Sequence, residues 1–125
     1  MTTKSETGKL GEDLACKYLI GKGYKIIDRN YRKPWGELDI VAKSPDETIV
    51  FVEVKTVVSH NVNNLLITPE DQLTSAKVNK LRRIASWYAG DNQGIISEER
   101  GWRIDLLALT ISQKNCLVKH YENAA

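Results

Sequence analysis

Ile49-Val50-Phe51-Val52-Glu53-Val54-Lys55-Thr56 is a run of β-branched and aromatic residues without a polar face, the pattern of a strand covered on both sides. Side chains alternate along a strand, so Ile49, Phe51, Glu53 and Lys55 share one face, and Val50, Val52 and Val54 share the other. Taking an ion out of water costs several kcal/mol, so a carboxylate and an ammonium on a buried strand must either neutralise each other or face a third, ionic partner. The second alternative is a metal and phosphate site. An acid followed two residues later by lysine carries little weight alone, since sixteen acids in 125 residues give roughly one or two such matches by chance. Its position in the most apolar strand is what makes it informative.

Upstream of this strand, Ser44-Pro45-Asp46-Glu47 reads as a tight connection from a strand at Glu37-Leu38-Asp39-Ile40-Val41-Ala42. Pro34-Trp35-Gly36 is a turn, and Tyr24-Lys25-Ile26-Ile27-Asp28-Arg29 is a short strand before it. Three strands joined by short links predict an antiparallel meander. Ahead of them, Leu10, Leu14, Ala15, Tyr18 and Leu19 recur at helical spacing after the candidate caps Ser5 and Thr7, and Gly21 and Gly23 close the helix.

Downstream, periodicity is lost from Val57 to about Leu73, a stretch that contains the apolar Leu65-Leu66-Ile67. A second helix is predicted from Thr74 to Ala89, capped by Thr74 or Ser75, with Thr68-Pro69 as an earlier alternative start. Trp102-Arg103-Ile104-Asp105-Leu106-Leu107-Ala108-Leu109 follows as a strand, and Ser112-Gln113-Lys114-Asn115 turns the chain into a last strand at Leu117-Val118-Lys119-His120-Tyr121. Strand, crossover helix and strand predict a parallel unit. The expected fold is therefore α/β, a mixed β-sheet flanked by helices in the order α-β-β-β-α-β with a C-terminal hairpin, and residues 1–125 suffice for a single domain.

The net charge of +2 neither demands nor excludes a polyanionic partner. Its distribution is more specific, because Lys22, Lys25, Arg29, Arg32 and Lys33 form one basic patch and Lys77, Lys80, Arg82 and Arg83 another. Cys16 and Cys116 stand apart from any metal-ligand spacing and read as reduced packing residues. No apolar stretch approaches the roughly 20 residues of a membrane span, and Met1-Thr2-Thr3-Lys4-Ser5-Glu6 has no signal core, which predicts a soluble, cytoplasmic protein.

Three further groups converge on the opening strand. Asp39 lies in the preceding strand, where a hairpin sets it beside Glu53, and Glu37 shares its face. Glu12 borders the buried face of the first helix among small neighbours, and Lys77 lies on the stripe of Leu81, Ile84, Ala85 and Tyr88 that must cover the sheet. Carboxylates with lysines and no Cys or His cluster suit a hard cation such as Mg2+ or Mn2+. Asp39 and Glu53 would hold it and Lys55 would orient water or meet growing phosphate charge. By contrast, His60 and His120 read as surface residues, Trp35, Trp87 and Trp102 as core or hinge packing rather than base-stacking platforms, and Asp105 as a partner of Arg103 or of a helix end.

The set Gly8-Lys9-Leu10-Gly11-Glu12, Asn30-Tyr31-Arg32, Gly36-Glu37-Leu38-Asp39, Val50-Phe51-Val52-Glu53-Val54-Lys55, Lys77 with Leu81, and Arg103-Ile104-Asp105 resembles the bacterial YraN family. That family looks like a branch of the PD-(D/E)XK nuclease superfamily, with a restriction-endonuclease-like core, and is similar to the archaeal Holliday junction resolvases. The resemblance implies Mg2+ ligands at Asp39 and Glu53 with help from Glu12, a catalytic lysine at Lys55, and a supporting basic residue at Lys77. The resulting expectation is a metal-dependent endonuclease acting on DNA, with branched DNA as a candidate substrate and Arg29, Arg32, Lys33, Lys80 and Arg83 as nucleic-acid contacts. Two alternatives stand beside it: a non-catalytic nucleic-acid-binding module of the same fold, and a homodimer formed through Leu65-Leu66-Ile67.

Overall fold

A computed structural model describes residues 4–58 and 73–125. His60, Leu65-Leu66-Ile67 and Thr68-Pro69 lie outside the described residues. The described elements are helix α1 (Lys4–Gly21), strands β1 (Lys25–Lys33), β2 (Gly36–Lys43) and β3 (Ile49–Val58), helix α2 (Ser75–Asp91), a short 3-10 turn (Gln93–Ile95), and strands β4 (Trp102–Ile111) and β5 (Cys116–Tyr121). They form one sheet in the order β1-β2-β3-β4-β5, antiparallel except for the parallel β3–β4 pair. This is the predicted α/β arrangement.

β3 is central because both of its faces are apolar, and each face meets a different helix. Val50 and Val52 join Ile40, Ala42, Leu107 and Leu109 beneath Ala15, Cys16 and Leu19 of α1. Ile49 and Phe51 join Leu38, Val41 and Ile104 beneath Leu81, Ile84, Ala85 and Tyr88 of α2. Each large side chain fully buried in this way stabilises the fold by roughly 1.5–3 kcal/mol. Glu53 and Lys55 continue the Ile49–Phe51 face, so they emerge on the α2 side where the core ends.

Local signals fix the helix ends. Gly23 takes φ 90°, the left-handed geometry of a helix stop, and Tyr24 N–H bonds back to Leu19 C=O while Gly23 N–H bonds to Ile20 C=O. Thr74 caps α2, its side chain accepting from the Lys77 backbone N–H. On α1 the buried stripe is rotated from the expected one. Leu10 is exposed, and Gly11 instead lies so close to β3 that a Cβ there would overlap the Thr56 side chain. A helix this near a strand needs glycine at the crossing, which a count of apolar residues does not reveal.

β1 is longer than the predicted short strand and carries two irregularities. The register slips between Ile26 and Asp28, and Asn30 has φ 53°. Opposite this distortion the alternation of β2 breaks, because Ile40 packs under α1 whereas Leu38 packs under α2. Simple alternation would have put both on one face. Asp39 sits at the break.

Candidate metal centre

The β2–β3 ladder pairs Lys43 with Ile49 through Ile40 with Val52. Just beyond it, the Asp39 carboxylate replaces a backbone acceptor, with Oδ2 taking the Val54 N–H at 2.8 Å. That bond draws Asp39 across to the strand that carries Glu53, and the two carboxyls share a hydrogen bond. Burial is the main cause that pushes both above the ordinary carboxylate range. Asp39 is raised further by the charges of Glu12 and Glu37 but held back by Val54 N–H, and Glu53 is raised by Asp39 and Glu37 but eased by Lys77. The pair therefore retains a proton at pH values where an ordinary carboxylate has lost it.

Around this pair the predicted residues separate onto two concave surfaces. Glu53, Lys55, Lys77 and Lys80, with Glu37, line a cavity of about 480 Å³ whose floor is Leu81, Ile84 and Leu106. Lys55 and Lys77 are exposed, so their charges stand at the mouth of this cavity rather than in the core. Glu12 opens instead onto a groove of about 560 Å³ with Asp13, Arg29 and Arg32, and reaches Asp39 through its charge. Burial raises the Glu12 carboxyl, and the Arg29 guanidinium 4.0 Å away counteracts this.

The expected phosphate contacts are mostly engaged within the protein. Arg29 donates to Asp13 at 2.8 Å, Arg32 lies 3.5 Å from Glu37, Lys33 stands over the Tyr31 ring, and Arg83 stacks on Trp35. Lys80 alone of these five lines the cavity beside Glu53. Among the described residues no three Asp, Glu, His or Cys side chains gather as a ready-made cage, so the centre is a carboxyl pair with Glu12 and Glu37 farther out. Its donors nonetheless fit a hard divalent cation. Two buried carboxyls forced to share a proton would ionise fully beside such an ion.

Sequence reasoning missed two groups. His120, expected at the surface, is nearly buried and bonds Asp105 at 2.7 Å, because the β4–β5 hairpin sets His120 opposite Leu107 and so diagonally beside Asp105. Arg103 and the Asn123 N–H complete that cluster. Trp35, as expected, packs against the α2-side core, and it also lines the cavity, whereas Trp87, which meets it edge-on, is 52% exposed, unlike a packing residue. Trp102, as expected, packs on Phe51.

The model of the uncharacterised protein family UPF0102 matches residues 11–109, a span that includes Glu12, Asp39, Glu53, Lys55 and Lys77. The chain belongs to this family, which is YraN. A UPF0102 protein of Alkaliphilus oremlandii is 39% identical, covering 94% of this chain and 95% of the relative. One from Thermodesulfovibrio yellowstonii is 37% identical over 95% of each, and one from Mycobacterium marinum is 38% identical over 89% of this chain and 86% of its own. The family match thus runs from within α1 into β4. Among the described residues no helix is long and apolar enough to cross a membrane.

Proposed function

We propose that this chain is a divalent-cation-dependent endonuclease that hydrolyses phosphodiester bonds in DNA, with branched DNA as a candidate substrate. One observation supports this reading above the others. Asp39 and Glu53 meet on adjacent strands as a buried carboxyl pair held above the ordinary range, and Glu53 lines a cavity with Lys55 and Lys77. Asp39 and Glu53 would hold Mg2+ or Mn2+, which when bound supplies charge neutralisation and a more acidic water.

The remaining chemistry falls to the chain itself. Lys55 offers three N–H donors at the cavity mouth, suited to orienting a water or to meeting negative charge that grows on phosphate oxygens. Lys77 and Lys80 add positive charge along the same wall, which attracts a phosphate backbone and positions it against Glu53. Glu12, through its charge on Asp39, favours retention of a proton there until a cation arrives.

Purified protein with Mg2+ or Mn2+ is expected to cut at least one of four-way junctions, flaps, single strands or duplexes. Absence of cleavage beyond a Lys55→Ala control on all four would end this reading. A second reading, nucleic-acid binding without turnover, is favoured by the bond from Val54 N–H to Asp39 and the shared carboxyl proton, which leave the pair satisfied without a cation. Binding that persists in EDTA, falls with salt and ignores Asp39→Asn, with no cut product, would select it.

A further inference from the structure

The cavity beside Glu53 is lined by two chemically different sets of residues. Lys55, Lys77 and Lys80 stand with Glu37 and Glu53 as its ionic set, and Trp35 with Leu81, Ile84 and Leu106 forms its apolar set. At about 480 Å³ it is of a size that takes small organic groups, typically ~300–1,000 Å³. A nucleotide carries the same two chemistries, a flat base and an anionic phosphate.

Trp35 is held as a rigid wall. The Arg83 guanidinium lies 4.7 Å from its ring centre, and Trp87 meets it edge-on at 5.6 Å. Arg83 and Trp87 are four residues apart on α2, so both project from one stripe onto the indole. Gly36, next in the chain, lies against Ile84, where an added Cβ would come within 3.4 Å, and this packs the turn that carries Trp35 onto α2. Trp35 thus packs against the α2-side core and still lines the cavity, and its partner Trp87 stays 52% exposed.

We infer that this cavity receives one unpaired nucleobase, stacked against Trp35, from the nucleotide next to the phosphate held at Lys55 and Lys77. The substrate class is nucleic acid with an unpaired or extrudable nucleotide at the reacting position. A base inside an intact duplex is covered by its neighbours and enters such a cavity only after unstacking, which selects against perfect duplex. This inference deepens the nuclease reading and rests on it for the placement of the phosphate.

The test measures binding in EDTA, so that cleavage does not enter. Wild-type protein is titrated with a short oligodeoxythymidine strand and with an abasic strand of equal length, following anisotropy and tryptophan quenching. The base-bearing strand is expected to bind about tenfold more tightly, as aromatic stacking of one base gives, and to quench fluorescence where the abasic strand does not. Trp35→Leu should bring the two strands to equal affinity, Trp35→Phe should restore part of the preference, and the exposed Trp87→Ala should reduce it. A duplex with one bulged nucleotide should bind more tightly than its perfectly paired counterpart. Equal affinity of wild type for base-bearing and abasic strands, or for bulged and perfect duplexes, overturns the inference without need of any variant. Base preference without cleavage in Mg2+ would remove the nuclease reading alone, and cleavage without base preference would remove this inference alone.

Discussion

Asp39 and Asp105 are both aspartates in strands of one sheet, and their surroundings are opposite. Asp105 is fully buried, yet it accepts from Arg103, from the Asn123 N–H and shares a 2.7 Å bond with His120. Burial pulls its carboxyl upward, but these partners outweigh it and hold it below the ordinary range. Asp39 has the Val54 N–H and a second acid, Glu53, and is held above that range. The contrast separates an acid with its cations built in from an acid whose buried neighbour is a second acid.

The largest expected effect tests the structural member. Asp105→Ala should lower unfolding free energy in urea by about 3–5 kcal/mol, because it strands Arg103 and His120 without their acid. A loss below about 1 kcal/mol would show that the cluster is incidental. Next in size, Lys55→Ala should reduce cleavage by about 100-fold or more while leaving the urea midpoint unchanged, because an exposed lysine contributes to reacting charge and little to the core. A parallel fall in stability would make Lys55 structural and erase the contrast.

The sign of the pH effect sharpens it further. Glu53 has a raised folded pKa, so its contribution to stability is full below the unfolded value near 4 and is lost as pH rises toward the folded value. Cation-free wild type should therefore lose stability from mildly acidic to alkaline pH. Glu53→Gln should flatten that slope and gain about 1 kcal/mol at pH 8, measured by urea unfolding at several pH values. For Asp105, whose folded pKa is lowered, the loss comes instead as pH falls below the unfolded value. The smallest effect is a rise of a few degrees in melting temperature with Mg2+ or Mn2+ at pH 8, absent at pH 5 and in Asp39→Asn. Equal rises in wild type and Asp39→Asn would place the ion elsewhere.

Much of this contrast was legible from local pattern. The Ile49–Phe51–Glu53–Lys55 face follows from alternation alone, and the short Ser44–Glu47 link sets β2 against β3 so that Asp39 and Glu53 meet. The left-handed Asn30 and the break at Asp39 are not coded by periodicity, since a residue with φ 53° looks like any asparagine in a strand. The Asp105–His120 bond needed the hairpin register to be carried one step diagonally, which the turn at Ser112–Asn115 permits. Trp35 and Trp87 meet only when a turn and a helix far apart in sequence are packed together, and hydropathy makes every tryptophan look like core.

The bare crossing of Gly11 on Thr56 gives the centre a mount that is steric rather than ionic. α1 carries Glu12 and β3 carries Glu53 and Lys55, and the two are registered by backbone shape. Charges can then be screened, protonated or exchanged for those of a polyanion without the two supports drifting apart. A site assembled only from ion pairs would loosen whenever a competing ion arrived, whereas the Gly11–Thr56 contact does not depend on charge.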